Sequence, residues 1–162
     1  MATRLSIMSF AHLHADFYAG AIAALPDVEL AGVWDDNPQR GKDAAAKYGT
    51  EFFSTPEELF APENEIQGTI VTSENVKHKR DVLAACEAGV HILCEKPIST
   101  NVVDARVMIA EAERAGVQLM IAFPCRYTAA FGQLLRAVRN GELGEIIAIK
   151  GTNRGQNPGG WF

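Results

Sequence analysis

The feature that most constrains this chain is a rhythm: a short apolar run, then an amphipathic stretch of helical length, repeated to the end. Arg4 to Ser9 (RLSIMS), Val28 to Trp34 (VELAGVW), Phe52-Phe53, Gly68 to Thr72 (GTIVT), Val90 to Cys94 (VHILC) and Gln118 to Ala122 (QLMIA) predict six strands. The stretches between them predict helices over 15–24, 38–48, 77–88 and 101–115, with a last helix over 128–139. The punctuation agrees. Pro26 stops the first helix, and Asn37-Pro38 pairs an N-cap with a first-turn proline. Thr55-Pro56-Glu57-Glu58 is a capping-box pattern for a short helix. Gly49, Gly89 and Gly116 stand where a helix needs a left-handed terminator. After Asn140-Gly141, Glu145 to Lys150 (EIIAIK) predicts one more strand.

Strands that are apolar throughout, each followed by a helix, predict a parallel sheet covered on both faces. Right-handed crossovers make that sheet doubly wound. The predicted class is therefore α/β, a doubly wound parallel sheet over residues 1–140, with residues 141–162 as the start of a truncated second domain. In such sheets ligands lie beyond the carboxyl ends of the strands, at the switch point. The residues just after each strand are therefore the ones to read for chemistry.

Composition removes other classes. The chain has 162 residues, 48% hydrophobic and 22% charged, which predicts a folded chain rather than a disordered one. Its net charge is −5 with no basic run, so no nucleic-acid partner is expected. No apolar run reaches the roughly 18 residues of a membrane span, and MATRLSIMSF has no signal-peptide layout, so a cytoplasmic location is expected. Cys86, Cys94 and Cys125 form no C-x-x-C pair, which argues against a structural zinc site or a disulfide framework. A complete eight-stranded α/β barrel needs about 250 residues, more than are present.

After the first strand, Ser9, Ala11 and His14 stand in the three glycine slots of a dinucleotide loop, within Ser9-Phe10-Ala11-His12-Leu13-His14. The following helix N-terminus can still offer N–H groups to a phosphate. His12-Leu13-His14, with Asp16 nearby, also has the form of a zinc-binding H-x-H pair. The other histidines, His78 and His91, lie in separate segments. The pair is read as lining the nucleotide loop, and no metal is expected. After the second strand, Asp35 is placed to accept the adenosine ribose hydroxyls, with Asp36 beside it. Its charge favours NAD over NADP, and Arg40 is the counterweight because it could reach a 2′-phosphate. Thr72, Ser73, Glu74, Asn75 and His78 follow the fourth strand. Glu95, Lys96 and Pro97 follow the fifth, where a lysine can bond a substrate hydroxyl or assist proton transfer.

The run Ala88-Gly89-Val90-His91-Ile92-Leu93-Cys94-Glu95-Lys96-Pro97 resembles the AGKHVLCEKP segment of the Gfo/Idh/MocA oxidoreductases. Val33-Trp34-Asp35, Val71 to His78 (VTSENVKH), Phe123 to Tyr127 (FPCRY) and Gly141-Glu142-Leu143-Gly144-Glu145 resemble further blocks of that family, in the same order. The resemblance implies a Rossmann domain with Lys96 as a catalytic lysine, Glu95, Asn75 and Arg126 near the nicotinamide, and a cis Lys96-Pro97 bond. It covers only the first half of a family member. Relatives continue into an antiparallel sheet domain that carries an Asp-x-x-x-His pair for substrate binding. The implied function is hydride transfer between a sugar or polyol carbinol and NAD, in a homo-oligomer formed through that second domain or through the strand over 145–152. The alternative is a non-catalytic nucleotide-binding or regulatory module. The chain alone is expected to be inactive.

Overall fold

In the computed structural model, residues 2–152 are described, and they divide into two compact units, Met1–Phe123 and Pro124–Phe162. The first unit holds β1 (Thr3–Met8), α1 (His14–Ala23), β2 (Val28–Trp34), α2 (Pro38–Tyr48), β3 (Phe52–Phe53), α3 (Pro56–Leu59), β4 (Gly68–Val71), α4 (His78–Glu87), β5 (His91–Cys94), α5 (Val102–Ala115) and β6 (Leu119–Ile121). The strands form one sheet in the order β3-β2-β1-β4-β5-β6, every neighbour parallel. The order reverses direction between β1 and β4, which makes that point the switch point of a doubly wound sheet.

The two faces follow from the period-two alternation of strand side chains. Ile7 of β1 and Ile70 of β4 pack on Ala15, Ala19 and Ile22 of α1, with Leu5, Leu30 and Leu93 around them. Their chain neighbours Met8, Val71 and Cys94 point the other way, into a larger core with Val82, Ala85 and Cys86 of α4 and Met108 and Ala112 of α5. The β1–β2 register shifts between Leu5 and Ser6, after which Met8 pairs with Trp34. That register brings Ser9 beside Asp35 at the carboxyl edge.

The helix ends form for the reasons the sequence supplies. Asn37 Oδ1 accepts from the N–H groups of Gln39 and Arg40, and Gly49 closes α2 at φ 67°. Asn101 accepts from Asp104 N at the start of α5. At Thr55 the box is offset: Thr55 Oγ1 accepts from Glu58 N, but the Glu58 carboxylate reaches back to Ser54 N instead of Thr55 N. Gly41 on α2 is required by packing, because a Cβ there would run into the Phe52 ring and the Asp35 side chain.

The second unit carries a 3₁₀ turn, Pro124–Tyr127, and α6 (Ala129–Arg139). None of its described residues is buried. Phe131, Leu134, Leu135 and Val138 make an apolar stripe along α6 that stays exposed. Residues 145–150, expected as a strand, form none. A strand needs a ladder partner for its N–H and C=O groups, and no strand is present among the described residues of this unit. Ile147 and Ile149 are 93% and 88% exposed. The expected residues 153–162 of this segment lie outside the described residues.

Candidate active site

Three loops meet at the carboxyl edge of the sheet, after β1, β4 and β5, and hydrogen bonds lace them together. His12 N donates to Thr72 O at 3.1 Å and Thr72 Oγ1 donates to Ser9 O at 2.6 Å. His78, fully buried at the start of α4, sets its ring nitrogens 2.9 Å from Pro97 O and 3.1 Å from Ser73 O. It therefore ties the β4 loop to the β5 loop. The Lys96-Pro97 bond is cis, as the resemblance implied.

Ser9 holds φ 73°, the left-handed conformation for which the first slot of such a loop normally uses glycine. Its own groups secure the turn: Ser9 N donates to Trp34 O, and Ala11 N donates to Ser9 Oγ. The shape of a dinucleotide loop is thus kept without its glycines. On this observation the loop and the α1 N-terminus fit a pyrophosphate.

Asp35 does not present its carboxylate to the crevice. It is 1% exposed, and four donors saturate it: Phe10 N, Asn37 N, and Arg40 through Nε and a terminal nitrogen, at 2.7–2.8 Å. The bidentate bond holds the Arg40 guanidinium above its usual pKa. Its neighbour Asp36 is the partly exposed acid, ringed by Arg40, Lys77 and Arg80 at 2.7–3.3 Å. Burial works to raise the Asp36 carboxyl, and the bonds from Lys77 and Arg80 outweigh it, leaving it below its usual value.

At the other end of the crevice Glu95 is 2% exposed. Tyr18 OH donates to Oε1 at 2.7 Å, His14 Nδ1 lies 2.8 Å from the same oxygen, and Lys96 N donates to Oε2. Burial pushes this carboxyl up, and the bonds from Tyr18 and His14 bring it below the usual glutamate value. Tyr18 is displaced upward by burial and by the carboxylate it bonds. Tyr18 was not legible as a site residue. The signal available was its spacing, one helical turn after His14 on the same face of α1. His12 stands against His14, ring centroids 4.4 Å apart. Burial first, then His14, lowers the His12 pKa.

Lys96, Asn75, Glu74 and Pro97 are exposed on these loops; Leu13, with Phe10 and Ala11, lies on the β1 loop. Glu74 is held by Lys77 at 3.0 Å. Arg126 belongs to the second unit, in the turn Pro124–Tyr127. Cys86 and Cys94 are buried free thiols, and burial raises both, Cys94 to about 12, which disfavours their thiolate forms. Among the described residues no helix is long and apolar enough to cross a membrane.

A parallel doubly wound sheet with such a loop at its switch point defines a nucleotide-binding class. Within that class, residues 10–123 match the family model described as "Oxidoreductase family, NAD-binding Rossmann fold". The chain belongs to this Gfo/Idh/MocA oxidoreductase family. It is 34% identical over 133 residues to glucose-6-phosphate 3-dehydrogenase of Bacillus subtilis, covering 82% of this chain and 37% of that protein. It is 31% identical over 142 residues to myo-inositol 2-dehydrogenase of Thermotoga maritima, covering 87% and 42%. A probable dehydrogenase from Thermotoga maritima superposes with a TM-score of 0.78 at 28% identity, over 87% of this chain and 42% of that one. The chain spans about two fifths of the length of these curated relatives.

Proposed function

We infer that the chain is the cofactor-binding part of an NAD(H)-dependent dehydrogenase that oxidises a carbinol of a sugar or polyol. The observation that carries this reading is the laced crevice at the switch point, with Glu95 buried at one end and exposed Lys96 next to it. The names of the relatives, both dehydrogenases of a sugar phosphate or an inositol, support the substrate class.

On this reading the Ser9–His14 loop and the α1 N-terminus hold the pyrophosphate, and Asp36, not the sequestered Asp35, meets the ribose hydroxyls. Asn75, Glu95 and Lys96 serve the nicotinamide end. The nicotinamide, when bound, supplies the hydride acceptor. Lys96 hydrogen-bonds the reacting hydroxyl and helps move its proton. His78 is a positioning residue that fixes the Pro97 carbonyl and thereby the course of the chain after Lys96. Residues 141–162 are the start of the substrate-binding domain, and oligomer contacts and a cytoplasmic setting belong to the same reading. A second reading, NADP(H), is favoured by the three cations around Asp36: Arg40, Lys77 and Arg80.

Nicotinamide fluorescence decides between them. The chain should bind NADH saturably and tighter than NADPH, and Lys96→Ala should leave that affinity within about threefold. In a protein that also carries the substrate domain, the same change should lower turnover by about 100-fold, a typical loss of acid–base help. Equal or tighter NADPH binding selects the second reading, and failure to bind either nucleotide overturns both.

A further inference from the structure

The turn at Ser9 explains how the loop keeps its shape, but it leaves the two imidazoles that follow unaccounted for. A phosphate-binding loop calls for small residues, and this one places His12 and His14 against a buried carboxylate. The ligand-capable atoms of His12, His14 and Glu95 all lie within 4.8 Å of one another. We propose that these three residues form a site for a divalent transition-metal ion of the zinc type.

Zinc takes nitrogen and oxygen ligands at about 2.0–2.1 Å, which sets tetrahedral neighbours about 3.4 Å apart. His14 Nδ1 and Glu95 Oε1, at 2.8 Å, are already nearly so placed. The ion takes the place of the proton that now joins them. His12 Nδ1 currently accepts from His14 N at 3.2 Å, a local bond at a helix start that the ring can give up by a side-chain rotation. Two imidazoles and one carboxylate suit zinc, cobalt or nickel, whereas magnesium and calcium require oxygen ligands.

The surroundings have the form of a metal site as well. Tyr18 OH and Lys96 N both bond the Glu95 carboxylate and fix its orientation, as outer partners of metal ligands do. His12 is anchored through its backbone to Thr72 O. Glu95 is buried while both histidines are partly exposed, so three protein ligands close one side and leave a coordination position toward the crevice. Such an open three-ligand site polarises an oxygen ligand rather than merely bracing a fold. These side chains line the same crevice as the cofactor reading, so the test uses the metal alone, with no nucleotide present, and its outcome is read separately from nucleotide binding.

The test uses the 162-residue chain with Cys125→Ser as background, which removes the exposed thiol. Zinc is titrated by calorimetry, and cobalt is followed by its visible absorption. One ion should bind per chain, with the intense cobalt band of a four-coordinate site. His12→Ala and His14→Ala should each weaken zinc binding by about 100-fold or more, and Tyr18→Phe by about 10- to 100-fold. Circular dichroism shows which variants fold; His12→Ala, whose ring is partly exposed, decides if His14→Ala does not. Zinc affinity in His12→Ala within about threefold of the parent, or a weak six-coordinate cobalt spectrum, overturns the proposal.

Discussion

Asp35 and Glu95 are both buried carboxylates at strand ends, at opposite ends of one crevice, and they are handled in opposite ways. Asp35 faces a permanent cation: Arg40 grips both oxygens, and two backbone N–H groups complete the shell. Every acceptor site is used and the charge is cancelled. Glu95 is buried to the same degree, but its partners are a phenol, an imidazole and an amide. None of these is a fixed cation, and the imidazole can exchange its proton. A carboxylate locked by a guanidinium is fixed as part of the architecture. One held by exchangeable partners stays available for chemistry.

Removing one partner at each end tests that contrast, and gives the largest expected effect. Arg40→Ala leaves the Asp35 carboxylate buried without its counter-ion. The loss should be about 3 kcal/mol, the low end for a broken buried pair, because Phe10 and Asn37 still donate. Tyr18→Phe removes one neutral donor from Glu95 and should cost less, about 1.5–2 kcal/mol. Urea denaturation of the two variants measures both. If Tyr18→Phe is the more damaging, the Glu95 end is the architectural one and the contrast is reversed.

Asp36 gives a smaller effect with a definite sign in pH. Its carboxyl lies below its usual 3.8 in the fold. Its ion pairs with Lys77 and Arg80 therefore add stability that is fully present above that value and is lost as pH falls through the folded pKa. These pairs are partly exposed, so Asp36→Asn should cost about 1 kcal/mol at neutral pH. The gap between parent and variant should close as the pH drops below 3.8. A gap that persists in acid would mean that the asparagine disturbs packing and that the ion pairs contribute nothing.

Much of this arrangement is legible in the sequence, and what is not has physical causes. The six strands and the helix ends announce themselves through local chemistry: Asn37 with Pro38, Gly49 and Gly116 each act within one helical turn, whereas the Asn101 cap shows only in the structure. The sheet order follows because crossover handedness leaves few choices. The place of Asp35 at a strand end is legible in the sequence, but its neutralisation is not, because the pairing depends on Arg40 folding back from α2, which spacing alone does not fix. Tyr18 was invisible because its partner is Glu95, far along the chain and adjacent only through the sheet. The strand over 145–150 has a pattern that fits a β-strand, but pattern does not supply a neighbour.

Ser9 lies at the Asp35 end, where Arg40 reaches its hydroxyl, and it carries the smallest expected effect. Its hydroxyl accepts from Ala11 N at 3.1 Å and from Arg40 at 3.3 Å, while its backbone sits at φ 73°. A left-handed residue other than glycine costs about 1–2 kcal/mol. Ser9→Gly relieves that cost but loses both hydroxyl bonds and adds freedom to the unfolded chain, worth about 0.5–1 kcal/mol. The terms nearly cancel, so its stability should lie within about 1 kcal/mol of the parent. Ser9→Ala keeps the strained backbone and loses the hydroxyl, so it should be less stable than either, by about 1 kcal/mol. Thermal melts of the three proteins establish the order. If Ser9→Ala melts with the parent, the hydroxyl contributes nothing to the turn, and the left-handed serine is held by the Trp34 and Thr72 contacts of its backbone alone.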